Sequence, residues 1–120
     1  MAAKILIVQD DFLAAERLRV LLQGAGHVVV GVARRSVAAL EIADRERPDL
    51  AVVDMMLEVD VDGIEAATEL ARREGLKILI TTGFPDAVIE DEGVHGFACA
   101  VVRKPYSDEE LLHAVARCVG

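Results

Sequence analysis

Four polar residues stand at the ends of four apolar, strand-like runs that are scattered over most of the chain. Asp10 comes shortly after KILIV, Asp54 follows LAVV, Thr82 follows KILIT and Lys104 follows ACAVVR. An open parallel sheet collects such ends along one edge, so the four side chains can share one crevice. Two carboxylates suit a hard divalent cation, while an ammonium and a hydroxyl suit the oxygens of a phosphoryl group.

The elements that would position these residues follow from the hydrophobic pattern. The sequence contains short apolar runs at residues 5–8, 28–32, 50–53, 78–80 and 97–102. These runs alternate with segments of helical period. Ser107 and Glu110 form a capping box that predicts the start of the last helix, and Ser36 is predicted to cap the second. This alternation with right-handed crossovers predicts an α/β fold with a doubly wound parallel sheet.

Composition narrows the classes of function. The chain has 120 residues, 53% of them hydrophobic but only 3% aromatic, which favours a core of Val, Ile, Leu and Ala such as buried parallel strands have. A net charge of −8 without a basic stripe argues against direct nucleic-acid binding. No run is long enough to span a bilayer and no leader pattern begins the chain, so we expect no membrane partner and a cytoplasmic location.

The two cysteines, Cys99 and Cys118, have neither metal-ligand spacing nor the density of a disulfide scaffold. We therefore expect both to be buried small hydrophobic residues.

With the strands placed, the chain resembles the receiver domain of two-component response regulators over essentially its whole length. The resemblance rests on IVQDD at 7–11, VVD at 52–54, DG at 62–63, TG at 82–83 and KP at 104–105. Each motif alone is weak, but their order and their places at strand ends are specific. The resemblance implies a single receiver domain over residues 1–120, with a flavodoxin-like (βα)5 sandwich and a five-stranded parallel sheet of order 2-1-3-4-5.

The resemblance also implies a function and a site. Asp54 would accept a phosphoryl group from a histidine kinase or a phosphotransfer protein, and would also catalyse this step on itself. Thr82 and Lys104 would bind the phosphoryl oxygens. Phosphorylation would then change the surface of the fourth helix, fifth strand and fifth helix, where an output protein or a second copy binds. The expected Mg²⁺ ligands are Asp10, Asp54 and the backbone carbonyl of Met56, with Gln9 acting through a water and Asp11 as a further candidate.

Three positions depart from the family pattern. Gln9 stands where receivers usually carry the first of two acids, so we predict weaker Mg²⁺ binding through a water that Gln9 contacts. Glu58 replaces a common proline, in a loop that is longer and more acidic. Val101 replaces the usual aromatic switch residue. Phe84 instead resembles a branch with a TG-aromatic motif, which suggests that Thr82 and the segment around Phe84 move on phosphorylation.

Rival functions stay open. The three departures are compatible with a degenerate receiver that binds partners without phosphorylation. A phosphatase of the haloacid dehalogenase type would need an acid where the chain has Met56. A flavodoxin-like nucleotide binder would need a glycine-rich loop after the first strand. Asp10 and Asp11 could also be mere helix caps.

Overall fold

The computed structural model describes residues 2–55, 63–91 and 93–120. Within these ranges strands and helices alternate, and a short 3-10 turn at Val94–Gly96 precedes the last strand. The predictions made for Met56, Glu58 and Asp62 lie outside the described residues. The elements are β1 (Lys4–Val8), α1 (Phe12–Gly24), β2 (Val28–Ala33), α2 (Ser36–Glu46), β3 (Leu50–Asp54), α3 (Gly63–Leu70), β4 (Lys77–Thr82), α4 (Asp86–Asp91), β5 (Ala100–Arg103) and α5 (Asp108–Val119).

The five strands form one parallel sheet in the order β2-β1-β3-β4-β5, which confirms the predicted topology. The register aligns the strand ends: Val8 pairs with Val53, Asp54 with Thr81, and Thr82 with Arg103. The carboxyl ends of β1, β3, β4 and β5 therefore lie side by side, as the positions of the four polar residues require.

Side chains alternate across the sheet and build a core on each face. Leu6 and Val8 of β1 join one cluster, to which α2 and α3 contribute Ala39, Ala43, Ala67 and Leu70. Ile5 and Ile7 join the other, to which α1 and α5 contribute Leu18, Leu22, Leu111 and Val115. The central strands β1, β3 and β4 are therefore largely buried on both faces, which explains the high aliphatic content.

Element boundaries differ from the sequence prediction in two places. The fifth strand begins at Ala100 rather than at residue 97, because the chain is still leaving the 3-10 turn there. The N-cap of α2 is Arg35, so Ser36 is the first helical residue and not the cap. The capping box at the start of α5 is confirmed: Glu110 N donates to Ser107 Oγ, and Ser107 N donates to Glu110 Oε1.

The expectation for the cysteines was wrong for Cys99 and for their pairing, although Cys118 is buried as expected. Cys99 and Cys118 form a disulfide, and Cys99 is exposed rather than buried. The cause is tertiary: α5 packs back along β5, so its last turn reaches the beginning of that strand, and the two Cα atoms lie 5.5 Å apart. A sequence separation of 19 residues carries no sign of this proximity.

Of the helices in the described ranges, none combines the length and the apolar character that a membrane span requires.

Candidate functional site

The site begins with two buried acids at adjacent strand ends. Asp54 is the last residue of β3, and Asp10 follows the neighbouring β1. Their exposures are only 4% and 8%. Gln9, between β1 and Asp10, is also buried, and its backbone N–H donates to Ala33 O at 2.9 Å. The chain leaving β1 is therefore still held to the sheet where the site begins.

Asp54 is held by two donors from distant parts of the sequence. Lys104 Nζ lies 2.8 Å from Asp54 Oδ2 and forms an ion pair with it. Gln9 Nε2 donates to the same oxygen, also at 2.8 Å. The predicted proximity of Asp54 and Lys104 is thus what the structure shows. The direct bond from Gln9 was not predicted.

The amide of Gln9 is fixed at both ends. Its Oε1 accepts from Asp11 N at 3.0 Å, while its Nε2 donates to the Asp54 carboxylate. A backbone N–H demands an acceptor and a carboxylate demands a donor, so the chemistry of the two partners sets the orientation of the amide. Gln9 therefore ties the end of β1 to the acceptor candidate on β3.

Asp11 has a structural role in this arrangement. It is the N-cap of α1, and its Oδ1 accepts from Ala14 N at 3.1 Å. This cap gives a hydrogen-bond acceptor to one of the N–H groups at the helix start that have no partner within the helix. Of the two acids after β1, it is thus the exposed Asp11 whose side chain makes the cap, while Asp10 is buried.

Thr82 and Lys104 are neighbours across β4 and β5. Lys104 N donates to Thr82 O at 2.7 Å, and the peptide bond between Lys104 and Pro105 is cis. Thr82 is fully buried, and its Oγ1 accepts from Phe84 N at 2.9 Å. The hydroxyl of Thr82 is therefore joined to the segment that leads into α4.

The close packing around Gly63 explains why the DG motif has a glycine at this position. A Cβ at Gly63 would lie 2.2 Å from Asp54 O and 2.8 Å from Met55 O. These are backbone atoms at the end of β3, which cannot turn aside as a flexible side chain would. Only glycine lets the start of α3 approach Asp54 so closely.

Sequence reasoning did not single out Tyr106. Burial raises the pKa of its phenol above the ordinary value, and the negative charge of Asp54 raises that pKa further. Tyr106 also lines a cavity of about 280 Å³ together with Gln9, Arg17 and Lys104. In the sequence, Tyr106 stands out through its place two residues after the lysine of the KP motif. That place does not indicate what the residue does.

The donor set is suited to a hard cation, although it is incomplete in the described residues. Across residues 2–55, 63–91 and 93–120, no three acidic, histidine or cysteine side chains cluster as a metal-binding group. Asp10 and Asp54 supply two carboxylates, and the third expected ligand, the Met56 carbonyl, lies outside these ranges. Buried carboxylates need nearby positive charge, and Lys104 supplies one such charge. Oxygen ligands of this kind fit Mg²⁺.

Comparison with known proteins agrees with this geometry. The family model for the response regulator receiver domain matches residues 5–116. The phyllosphere-induced regulator PhyR of Methylorubrum extorquens is 34% identical over 93 residues, which are 77% of this chain and 35% of that protein. The transcriptional regulatory protein PdtaR of Mycobacterium tuberculosis is 30% identical over 117 residues, covering 98% of this chain and 57% of that protein.

Among solved structures, the signal receiver domain of a modulated diguanylate cyclase from Desulfovibrio desulfuricans superposes with a TM-score of 0.88. It is 31% identical, and the match covers 99% of this chain and 94% of that one. The chain spans only about a third to just over half of the two curated regulators. The chain belongs to the response regulator receiver domain family, a class of domain from two-component signalling systems.

Proposed function

We propose that this chain is a phosphoacceptor signalling domain, in which Asp54 takes a phosphoryl group from a partner histidine kinase or phosphotransfer protein. The main support for this proposal is that Asp54 is buried at the end of β3, with Lys104 Nζ 2.8 Å from its Oδ2. A carboxylate at a strand end with an ammonium beside it provides both an attacking oxygen and a charge for the transferred group.

In the proposed reaction an oxygen of Asp54 attacks the phosphorus of a phosphohistidine. The new O–P bond forms as the N–P bond breaks, and the electron pair of that bond stays on the imidazole nitrogen. Lys104 then moves from the carboxylate to a phosphoryl oxygen, where its charge offsets the charge of the group. Positioning and charge neutralisation supply most of the catalysis in such transfers.

Mg²⁺ would be held by Asp10, Asp54 and the backbone carbonyl of Met56, with Asp11 as a further candidate ligand. When bound, the ion supplies positive charge that offsets the phosphoryl oxygens. The burial of Asp10 and Asp54 supports this assignment, since both acids are poorly solvated and come at or just after the ends of the neighbouring strands β1 and β3.

The contacts of Thr82 support a switching mechanism. If the Thr82 side chain rotates to bring its hydroxyl to the phosphoryl group, Phe84 N loses its present acceptor. Phe84 O accepts from Arg103 Nη1 at 3.0 Å, and Arg103 also forms an ion pair with Asp86 at the start of α4. Movement at Phe84 would therefore reach α4 and β5. Val101, which replaces the aromatic switch residue, is not needed in this mechanism.

The surface formed by α4, β5 and α5 would be the readout. An output protein or a second copy of the chain would bind there in one of two conformations, whose populations phosphorylation shifts. Residues 1–120 would act as one receiver domain, in the cytoplasm. No turnover of small substrates is part of this proposal.

Intact mass after incubation with acetyl phosphate and Mg²⁺ tests the proposal. We expect one added phosphoryl group on the wild-type chain and none on Asp54→Asn. The matched control is Asp49→Asn, because Asp49 is exposed at the opposite end of the sheet. Equal labelling of the wild type and Asp54→Asn would exclude Asp54 as the acceptor.

One observation favours a second candidate, a receiver that binds partners without phosphorylation. Lys104 already neutralises the charge of Asp54, and Gln9 donates a hydrogen bond to it, so the carboxylate is held within the chain itself. In this case neither acetyl phosphate nor a phosphorylated kinase would label the wild type, and Asp54→Asn would bind the same partners as the wild type.

A further inference from the structure

The contacts of Asp54 raise a problem for any metal-assisted transfer. Lys104 Nζ and Gln9 Nε2 both contact the same oxygen, Oδ2. A carboxylate oxygen has two lone-pair positions for such contacts. Both positions on Oδ2 are therefore taken in this conformation.

Phosphoryl transfer at a metal site uses both oxygens of the acceptor. In the proposed reaction, one oxygen of Asp54 would hold the cation and the other would form the bond to phosphorus. Oδ2 must serve in one of these two roles, and either role needs a lone pair that a donor now occupies. At least one of the two donors must leave before or during the reaction.

Gln9 is the donor that a cation would replace. It is neutral, so its bond to Asp54 is the weaker of the two, while the charge of Lys104 remains useful to the transferred group. Gln9 also reaches Asp54 from the side of β1, where Asp10 follows it in the chain. The amide thus lies between the two strands whose acids would hold the ion.

Space and polar partners exist for the displaced side chain. Gln9 lines the cavity of about 280 Å³ that Arg17, Lys104 and Tyr106 also line. A carboxamide is far smaller than this volume. Arg17 can donate to its carbonyl oxygen, and the hydroxyl of Tyr106 can accept from its amino group. Displacement therefore does not require leaving the amide buried without hydrogen bonds.

We propose that Gln9 is a positioning residue that latches Asp54 in the metal-free state, and that divalent cation binding displaces its amide into this cavity. This deepens the proposed function and rests on it. It also changes the role predicted for Gln9: the residue opposes the cation directly instead of assisting it through a water. The two roles give opposite signs in one experiment.

That experiment is a calorimetric measurement of Mg²⁺ affinity for the wild type and Gln9→Met, which keeps the length of the side chain but has no amide. If the amide competes with the ion, Gln9→Met binds Mg²⁺ more tightly by roughly tenfold, the order of factor lost with a hydrogen bond to a charged group. The matched control is Gln23→Met, because exposed Gln23 lies at the other end of α1 and its affinity should equal that of the wild type. Weaker or equal binding by Gln9→Met would overturn the proposal.

Nuclear magnetic resonance adds a signature that does not depend on a variant at Gln9. The chain has two glutamines and no asparagine, so in Gln23→Met the only carboxamide signals come from Gln9. We expect these signals to move when Mg²⁺ is added, as the bond to Asp54 is lost. Signals that stay fixed at saturating Mg²⁺ would overturn the latch.

The outcomes separate this inference from the proposed function. If the wild type is phosphorylated on Asp54 but Gln9→Met binds Mg²⁺ no more tightly, the function stands and the latch falls. If the affinities differ as expected but no phosphoryl group is ever transferred, the latch stands and the function falls. If neither the wild type nor Gln9→Met binds Mg²⁺, the latch is overturned and the proposed function loses its metal.

Discussion

The two ends of the parallel sheet use polar side chains in different ways. At the carboxyl ends of the strands, Asp54 is bound by the side chains of Gln9 and Lys104. At the amino ends, side chains bind backbone: Asp49 Oδ2 accepts from Lys4 N at 2.8 Å, and His27 Nδ1 accepts from Ala3 N at 3.1 Å. The disulfide also lies at this end, joining the start of β5 to the last turn of α5.

The difference shows which polar groups are available for chemistry. A side chain that satisfies an N–H group at the start of a strand is part of the sheet, since removing it leaves that donor without its partner. At the carboxyl end, Gln9 and Thr82 also accept from backbone N–H groups, but these belong to segments that follow the strands. Side chains that bind one another can exchange partners when a ligand offers better ones. The carboxyl end is therefore the part of the molecule where side chains can change partners without breaking a hydrogen bond of the sheet.

We expect the largest effect when the positive charge beside Asp54 is removed from the carboxyl end of the sheet. Lys104→Met removes the ammonium beside Asp54, and we expect the rate of phosphorylation from acetyl phosphate to fall by roughly 100-fold, the order found when one stabilising donor is removed from an active site. Intact mass over time measures the rate. Lys77→Met is the matched control, because Lys77 is exposed at the amino end of β4, and its rate should equal that of the wild type. Equal loss in both variants would mean that the two ends do not differ in function.

The next effect concerns the amino end. Cys99→Ser opens the loop closed by the disulfide, and for a separation of 19 residues the loss of chain constraint lowers the free energy of unfolding by about 3 kcal/mol. Urea denaturation of the oxidised proteins measures this difference. Under a reductant the two proteins should have nearly equal stability, and the phosphorylation rate of Cys99→Ser should match that of the wild type. A large loss of rate would show that the bridge and the site are coupled.

We expect the smallest effect on the pKa of Tyr106, which reports the charge of Asp54. The chain has a single tyrosine, so its ultraviolet absorbance follows Tyr106 alone. Burial and the charge of Asp54 both raise the pKa of this phenol. Asp54→Asn should therefore lower the pKa of Tyr106 toward, but not to, the ordinary value of about 10, because burial is the larger cause. An unchanged or higher pKa in the variant would place Tyr106 outside the field of Asp54.

The same shift has a consequence for stability. The raised pKa of Tyr106 means that the folded state favours the protonated phenol. The contribution of Tyr106 to the free energy of unfolding is therefore fully present below the unfolded pKa of about 10. It is lost as the pH rises through the pKa of Tyr106 in the folded state.

The sequence was sufficient to predict the topology and the meeting of Asp54 with Lys104, because both depend on strand order and on which residue ends each strand. It was not sufficient for the bond from Gln9, since an amide at that position can serve either a water or a carboxylate. It also missed the pairing of Cys99 with Cys118, which follows from how α5 packs along β5. Contacts of this kind are set by tertiary packing and not by local pattern.

A crystal structure of the protein with Mg²⁺ and beryllofluoride would show whether these strand ends accept a phosphoryl group, since beryllofluoride mimics a phosphoryl group on a carboxylate. We expect the beryllium on Asp54, fluorine atoms in contact with Lys104 Nζ and Thr82 Oγ1, and the cation bound by Asp10 and Asp54. An Asp54 that carries no beryllofluoride and keeps its bonds to Gln9 and Lys104 would contradict the claim that these strand ends form a phosphoryl site.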